Sequence, residues 1–356
     1  MKDWFRRKYY PDPSDALDTS GQIYYYNNLK GFLIIVVLIG HFVNPITSAD
    51  GAAAFRAIYM FIYSFHMPMF IFVTGFFAKS IISREKRFKS ERIVQMLAIY
   101  VFMTVVIWLI NNYLRGVGSS IYNPFQTVSP AWYMMSTATW YMSIPFMKNA
   151  RPWAAIGGTV IFAVIAGFYT NINDFLSISR TICFFPFFLV GFYLDKEKIN
   201  RFLDWVKPYI RIICILLLFA LLIYCFLNLS GIYKYRSIIS PHYPYPEGYK
   251  LLFATRRFLW YGVASVIGAT VMLVIPRCKS IFTLPGVQTL TIFVWHAIII
   301  RLLNFAGFFD YIAANAGNVL IVIMTVVSSI LLAYILSLKI FEVPLRIFTR
   351  SKYGFI

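Results

Sequence analysis

Long apolar stretches separated by short polar ones dominate the chain from residue 29 onward. Ten of them approach the roughly 20 residues that an α-helix needs to cross bilayer hydrocarbon. They run over 29–47, 55–78, 93–114, 131–147, 153–170, 176–194, 209–229, 251–275, 286–305 and 318–341. The fourth and sixth are short, and the eighth carries the pair Arg256 and Arg257. The one long connection, 230–250, is rich in Tyr and Pro and contains His242. No internal repeat or low-complexity segment interrupts the pattern. The pattern predicts an all-α, polytopic membrane protein of about ten transmembrane helices. An N-terminal segment occupies 1–28, the transmembrane domain 29–341 and a C-terminal tail 342–356.

Composition narrows the class. Of 356 residues, 60% are hydrophobic, 19% aromatic and only 13% charged, against about 25% charged in an average soluble domain. The mean hydropathy is +0.68. A water-soluble globule of this size could not hide so much apolar surface, and disorder is excluded on the same grounds. The first 30 residues hold no apolar core followed by a small-residue cleavage site, so no cleavable signal peptide is expected. Cys183, Cys214, Cys225 and Cys278 have neither disulfide-framework nor zinc spacing, and are expected to be small buried hydrophobes.

The chain has 33 Lys and Arg against 14 Asp and Glu, a formal charge of +19. These basic residues lie between apolar runs instead of forming one stripe, so nucleic acid is not an expected partner. Counted by alternate sides of the ten runs, 23 fall on the side of both termini and nine on the other, with Lys30 at the start of the first run. By the positive-inside rule both termini are expected in the cytoplasm. The protein is expected to be a multi-pass component of the cell (plasma or inner) membrane.

Ionisable groups at membrane depth are costly and are functional candidates. Three of the four histidines lie inside apolar runs. At 1.5 Å per residue, His41, His66 and His296 each lie about 15 Å in from one face, near a common level. Each could simply hydrogen-bond a neighbouring helix. A three-histidine metal site is also conceivable, but no carboxylate shares that depth to support it, and no metal is expected. A neutral histidine there suits proton transfer. Toward the outer helix ends lie Arg180, Arg256, Arg257 and Arg301, able to hold an anion or a developing oxyanion, or else to reach the headgroups. Arg256 and Arg257 are adjacent, so at most one is expected to line a central cavity. The cytoplasmic loop 79–92, with Lys79 and Arg84, is either an anionic-lipid contact or a phosphate-binding mouth. Pro68 is expected to kink the second run beside His66. Trp132 and Tyr133 could form an aromatic belt.

Six segments, in order, resemble one family. These are YYNNLKGFLIIVVLIGH (25–41), in which ten residues separate Lys30 from His41, and FHMPMFIFVTGFF (65–77). WYMMS (132–136), RTICFFPFFLVGFYL (180–194), TRRFLWYG (255–262) and TLTIFVWHA (289–297) complete the set. The chain resembles the acyltransferase-3 family, and within it the fucose 4-O-acetylase-like proteins. It departs from that pattern in having Lys30 where many members have Arg and Thr74 where Ser is common. No extracytoplasmic hydrolase-like domain is expected after the ten helices.

The resemblance implies a transmembrane O-acyltransferase. An acyl group, most often acetyl, passes from cytoplasmic acyl-CoA to a hydroxyl of an extracytoplasmic or lipid-linked cell-surface glycan, directly or through an extracytoplasmic partner. Under that reading His41 is the base or a transient acyl carrier, with His66 its partner and His296 a supporting residue. Lys30, Lys79 and Arg84 hold the donor phosphates. Arg180, Arg256, Trp132 and Tyr133 bind substrate. Acetyl-CoA is the donor substrate, and membrane lipid and a glycan are the partners. Two other classes fit the helix pattern: a glycan exporter without transfer activity and a small-solute transporter. The transporter reading lacks an inverted repeat and an intramembrane acid.

Overall fold

The computed structural model describes residues 23–81, 89–114, 121–126, 130–241 and 244–349, and these are helical throughout apart from turns, connections and one isolated β-bridge. The main helices are α1 (Tyr24–Val43), α2 (Ala53–Tyr63), α3 (His66–Ala78), α4 (Glu91–Leu109), α5 (Trp132–Met147), α6 (Pro152–Ala166) and α7 (Ile178–Tyr193). They continue with α8 (Lys196–Trp205), α9 (Pro208–Leu227), α10 (Lys250–Val274), α11 (Thr283–Val287), α12 (Thr289–Phe305), α13 (Phe308–Ala314) and α14 (Val319–Leu336).

Each of the ten apolar runs falls on helix, but they are not ten equal spans. Six helical segments are long and apolar enough to cross a membrane, or up to eight if each of two bent pairs counts as one span. The pairs are α7 with α8, bent by 84°, and α12 with α13, bent by 66°. The fourth and fifth runs form helices of 16 and 15 residues, about 24 Å at 1.5 Å per residue, short of the roughly 30 Å hydrocarbon. Length therefore supports fewer independent spans than hydropathy alone.

The second run also differs in detail. The chain breaks at Ser64–Phe65, and Pro68 sits in the first turn of α3. Pro68 has no N–H for the Ser64 carbonyl four residues back, so the run is interrupted beside His66 as expected, and that carbonyl accepts from Trp260 Nε1 at 3.3 Å. The break itself starts a new helix at His66.

Two glycine seams set the interior. α3 and α7 pack most extensively of all the helix pairs. A Cβ on Gly75 would overlap the Phe188 carbonyl, and one on Gly191 would overlap the Phe72 carbonyl. The backbones thus touch, the small-residue packing that replaces a hydrophobic driving force in lipid. α1 meets α11 in the same way: Gly31 lies against the Phe282 carbonyl and Gly286 against that of Asn27. Asn28, fully buried, closes this seam. Its amide donates to the Pro276 and Cys278 carbonyls at 2.9 and 2.8 Å. Its carbonyl accepts from the Ser280 and Thr283 hydroxyls at 2.9 and 2.7 Å. All four bonds of a costly buried amide are thereby satisfied. α9 and α14 instead expose Leu216, Leu217, Phe219, Ile323 and Met324, the apolar faces expected of lipid-facing helices.

Substituting Gly191 with Val should destabilise the protein by overpacking, lowering its melting temperature in detergent by about 5 °C or more. Gly262→Val, where no neighbour lies within 4 Å, should leave it nearly unchanged. Thermal unfolding of the two variants side by side checks this.

Candidate active site

Three helices bring the three histidines together, His66 and His296 buried and His41 half-buried. His41 ends α1, His66 starts α3 and His296 lies in the middle of α12. The His41 and His296 rings are 5.2 Å apart, centroid to centroid. Two tautomers follow from the partners. Nδ1 of His66 lies 2.9 Å from the Ile62 carbonyl, and Nδ1 of His296 lies 3.0 Å from the Ile292 carbonyl. A carbonyl oxygen only accepts, so each Nδ1 carries the proton and each Nε2 presents a lone pair. Nε2 of His296, on a residue with no exposed surface, has no hydrogen-bond partner. An orphaned acceptor at this depth is expensive and marks a place where a donor group fits.

His41 and His66 share the wall of one cavity of about 160 Å³. Tyr59, Tyr63, Trp132 and Arg180 also line it. Tyr59 and Tyr63 stack at 3.9 Å, and the Tyr63 ring meets His66 edge-on at 4.6 Å. The spacing 59, 63, 66 puts all three on one side of the α2–α3 run. That spacing is the signal by which the two tyrosines, absent from the sequence-based candidates, could have been found. Arg180 is 4% exposed, lies 5.2 Å over Trp132 and is 3.5 Å from Asp174. Burial raises the Asp174 carboxyl above its ordinary range, with the Arg180 charge acting in the opposite direction.

A second cavity of about 190 Å³ has Lys30, Leu33, Phe70, Thr74, Tyr133 and Phe293 among its lining residues. Its walls are almost wholly apolar, and it shares no lining residue with the first. Trp132 and Tyr133, neighbours in sequence, therefore face different chambers, because consecutive helical residues point about 100° apart. The Thr74 hydroxyl donates to the Phe70 carbonyl at 2.9 Å, so the Tyr133 hydroxyl donates to Thr74 in turn. Phe293 bridges the layers: its ring is 5.2 Å from Tyr133 and 5.5 Å from His296. The order through the protein is Lys30 chamber, aromatic layer, histidines, Arg180 chamber.

The remaining candidates lie elsewhere. Lys79 donates to Asp195 at 2.7 Å and to the Leu194 carbonyl at 2.9 Å, outside the lining of both chambers. Arg84, like His242, lies outside the described residues. Arg256 is exposed and sits 4.9 Å over Tyr235. Arg257, 2% exposed, is the buried member of the pair. It lies 4.4 Å over Tyr245 and donates to the Ala163 carbonyl at 3.3 Å, tying α10 to α6. Neither lines a chamber. Among the described residues no three metal-ligating side chains converge.

Residues 23–338 match the family model described as the acyltransferase domain of the acyltransferase-3 type. The nodulation protein NolL of Mesorhizobium japonicum (strain LMG 29417 / CECT 9101 / MAFF 303099) is 25% identical over 231 residues. That alignment covers 60% of this chain and 58% of NolL, so the chain spans well under two thirds of this curated relative. No solved structure matches. The matched segment contains both chambers and His41, His66 and His296, and the chain belongs to the acyltransferase-3 family.

Proposed function

We propose that the protein is a membrane O-acyltransferase that moves an acetyl group from cytoplasmic acetyl-CoA to a hydroxyl of a glycan presented on the opposite face. The observation that carries this reading is the pair of chambers on either side of the histidines, one reached past Lys30 and one walled by Arg180. The direction is drawn from the charge asymmetry, which by the positive-inside rule favours the Lys30 end on the cytoplasmic side of the cell membrane. Family membership supports acyl transfer as the reaction class.

In this mechanism the donor enters past Lys30, whose ammonium sits at the chamber wall as a point charge for a CoA phosphate. The pantetheine arm fills the apolar chamber. Lys79, engaged with Asp195, is a weaker donor contact than Lys30. The acceptor hydroxyl occupies the Arg180 chamber. His41 takes the hydroxyl proton as the alcohol oxygen attacks the thioester carbonyl. The C–S bond then breaks, CoA leaves as a thiolate, and His41 returns the proton to it. The Nε2 lone pairs of His66 and His296 accept hydrogen bonds that orient the acceptor and His41. Arg180 stabilises negative charge on the carbonyl oxygen, and the Trp132 face packs against the acceptor. Tyr133 closes the donor chamber, so the thioester meets an alcohol instead of bulk water.

The reading is tested in liposomes that hold the protein, with radiolabelled acetyl-CoA outside and candidate glycan inside. Label appearing on the enclosed glycan supports transfer. Unmodified glycan crossing the bilayer without label supports an exporter instead.

Replacing His41 with Ala in a normally folded protein should lower the transfer rate about 10²- to 10⁴-fold, the usual worth of a positioned base. A wild-type rate would remove His41 from that role. Lys30→Ala should raise the donor KM about tenfold, as for one lost charged contact. Lys30→Arg keeps the charge and should change it by no more than about twofold. Initial rates at varied acetyl-CoA check both.

A further inference from the structure

The Arg180 chamber has an approach that the mechanism does not use. The Tyr63 ring stacks on Tyr59, and Tyr59 meets Tyr233 at 6.5 Å. Over the face of Tyr233 lie two guanidinium groups, Arg236 at 4.8 Å and Arg56 at 5.7 Å. Arg56 is fixed in place by donating to the Thr47 and Ala49 carbonyls at 2.7 and 2.8 Å. The chain that carries Tyr233 and Arg236 runs directly on to Ser240 and Pro241, which line the chamber. A continuous series of ring contacts thus leads from exposed Arg236 and half-buried Arg56 to His66, which Tyr63 touches.

The charges along this path are unbalanced. Among the described residues, Arg56, Lys234, Arg236 and Arg256 enter no ion pair, and Asp174 and Glu247 are engaged by Arg180 and Lys250. Guanidinium groups match carboxylates and phosphates by paired N–H donors. Aromatic faces are electron-rich and attract the positive C–H edges of a sugar ring. A ladder of rings with uncompensated arginines at its entrance suits a ligand having both features.

We propose that the Tyr233–Tyr59–Tyr63 ladder, with Arg56 and Arg236, is a binding path for an acidic saccharide, the anionic group sitting at the arginines while a neighbouring sugar reaches the histidines. This inference rests on the acyl-transfer reading for its direction and deepens it: the acceptor carries a carboxylate or a phosphate a short distance from the acylated hydroxyl. An outer-leaflet headgroup would satisfy the exposed arginines but would leave the stacked tyrosines leading inward without a role.

The test uses the full chain in phosphatidylcholine nanodiscs and measures binding of three probes. They are an oligouronide, the same oligosaccharide with its carboxyls reduced to alcohols, and inorganic pyrophosphate. The oligouronide or pyrophosphate should bind at least about tenfold more tightly than the reduced oligosaccharide, one charged contact's worth. Which of the two binds decides between a carboxylate on the sugar and a phosphate at its end. Arg236→Gln, at an exposed position, should weaken that binding about tenfold or more. Arg236→Lys should restore part of it, and the acetyl-CoA Kd should not move. Failure of both anionic probes, equal binding of the reduced oligosaccharide, or no effect of Arg236→Gln would overturn the proposal. So would an effect confined to retention of phosphatidylglycerol. Wild-type protein that binds the acidic probe but not acetyl-CoA would uphold the path and sink the acyl-transfer reading instead.

Discussion

The backbone contact between α3 and α7 is the constraint on which the rest of the site depends. Because Gly75 and Gly191 let these helices touch, both His66 and Arg180, at their first turns, reach the same chamber. The helices run parallel, and the Lys79–Asp195 ion pair closes their opposite ends. An ion pair this exposed contributes little to stability, so its role there is registration more than strength. Lipid offers no hydrophobic drive for helix association. Close packing must supply it, and side chains larger than hydrogen at the two glycines would separate a histidine from an arginine several turns away. The seam between α1 and α11 does the same for His41, which projects from the far end of a helix anchored by Asn28.

Acyl transfer across a membrane makes two demands that pull against each other. The reacting atoms must meet, yet an open channel would leak water and ions. The structure separates the two chambers with Phe70, Tyr133 and Phe293, and puts the histidines just beyond that layer. The Tyr133–Thr74–Phe70 hydrogen-bond chain holds the layer with its polar atoms satisfied, as burial at this depth requires.

Much of this was legible in the chain. Each of the ten apolar runs falls on a helix, because hydrophobicity marks what lipid accepts, whereas α8 and α13, the bent partners of α7 and α12, lie outside the runs. The scarcity of buried ionisable groups singled out His41, His66 and His296, and the ten-residue gap from Lys30 to His41 already placed a charge and a base on one helix. Other features were not readable. The Arg256–Arg257 pair gives no hint of which member is buried, because that depends on the rotation of α10. Lys79 looks like a donor contact until α7 delivers Asp195 beside it. Tyr59 and Tyr63 share a helix side with His66 by their spacing, but their stacking on one another is set by the fold.

The central claim is that donor and acceptor approach the histidines from opposite chambers. The most direct test is a structure of the protein with a non-hydrolysable thioether analogue of acetyl-CoA bound. The account predicts the pantetheine arm in the Lys30 chamber, the CoA phosphates near Lys30, and the carbonyl within about one water's reach of His41. A donor lying in the Arg180 chamber, or one whose carbonyl stays on the Lys30 side of Tyr133 and Phe293 with no path to His41, would contradict it.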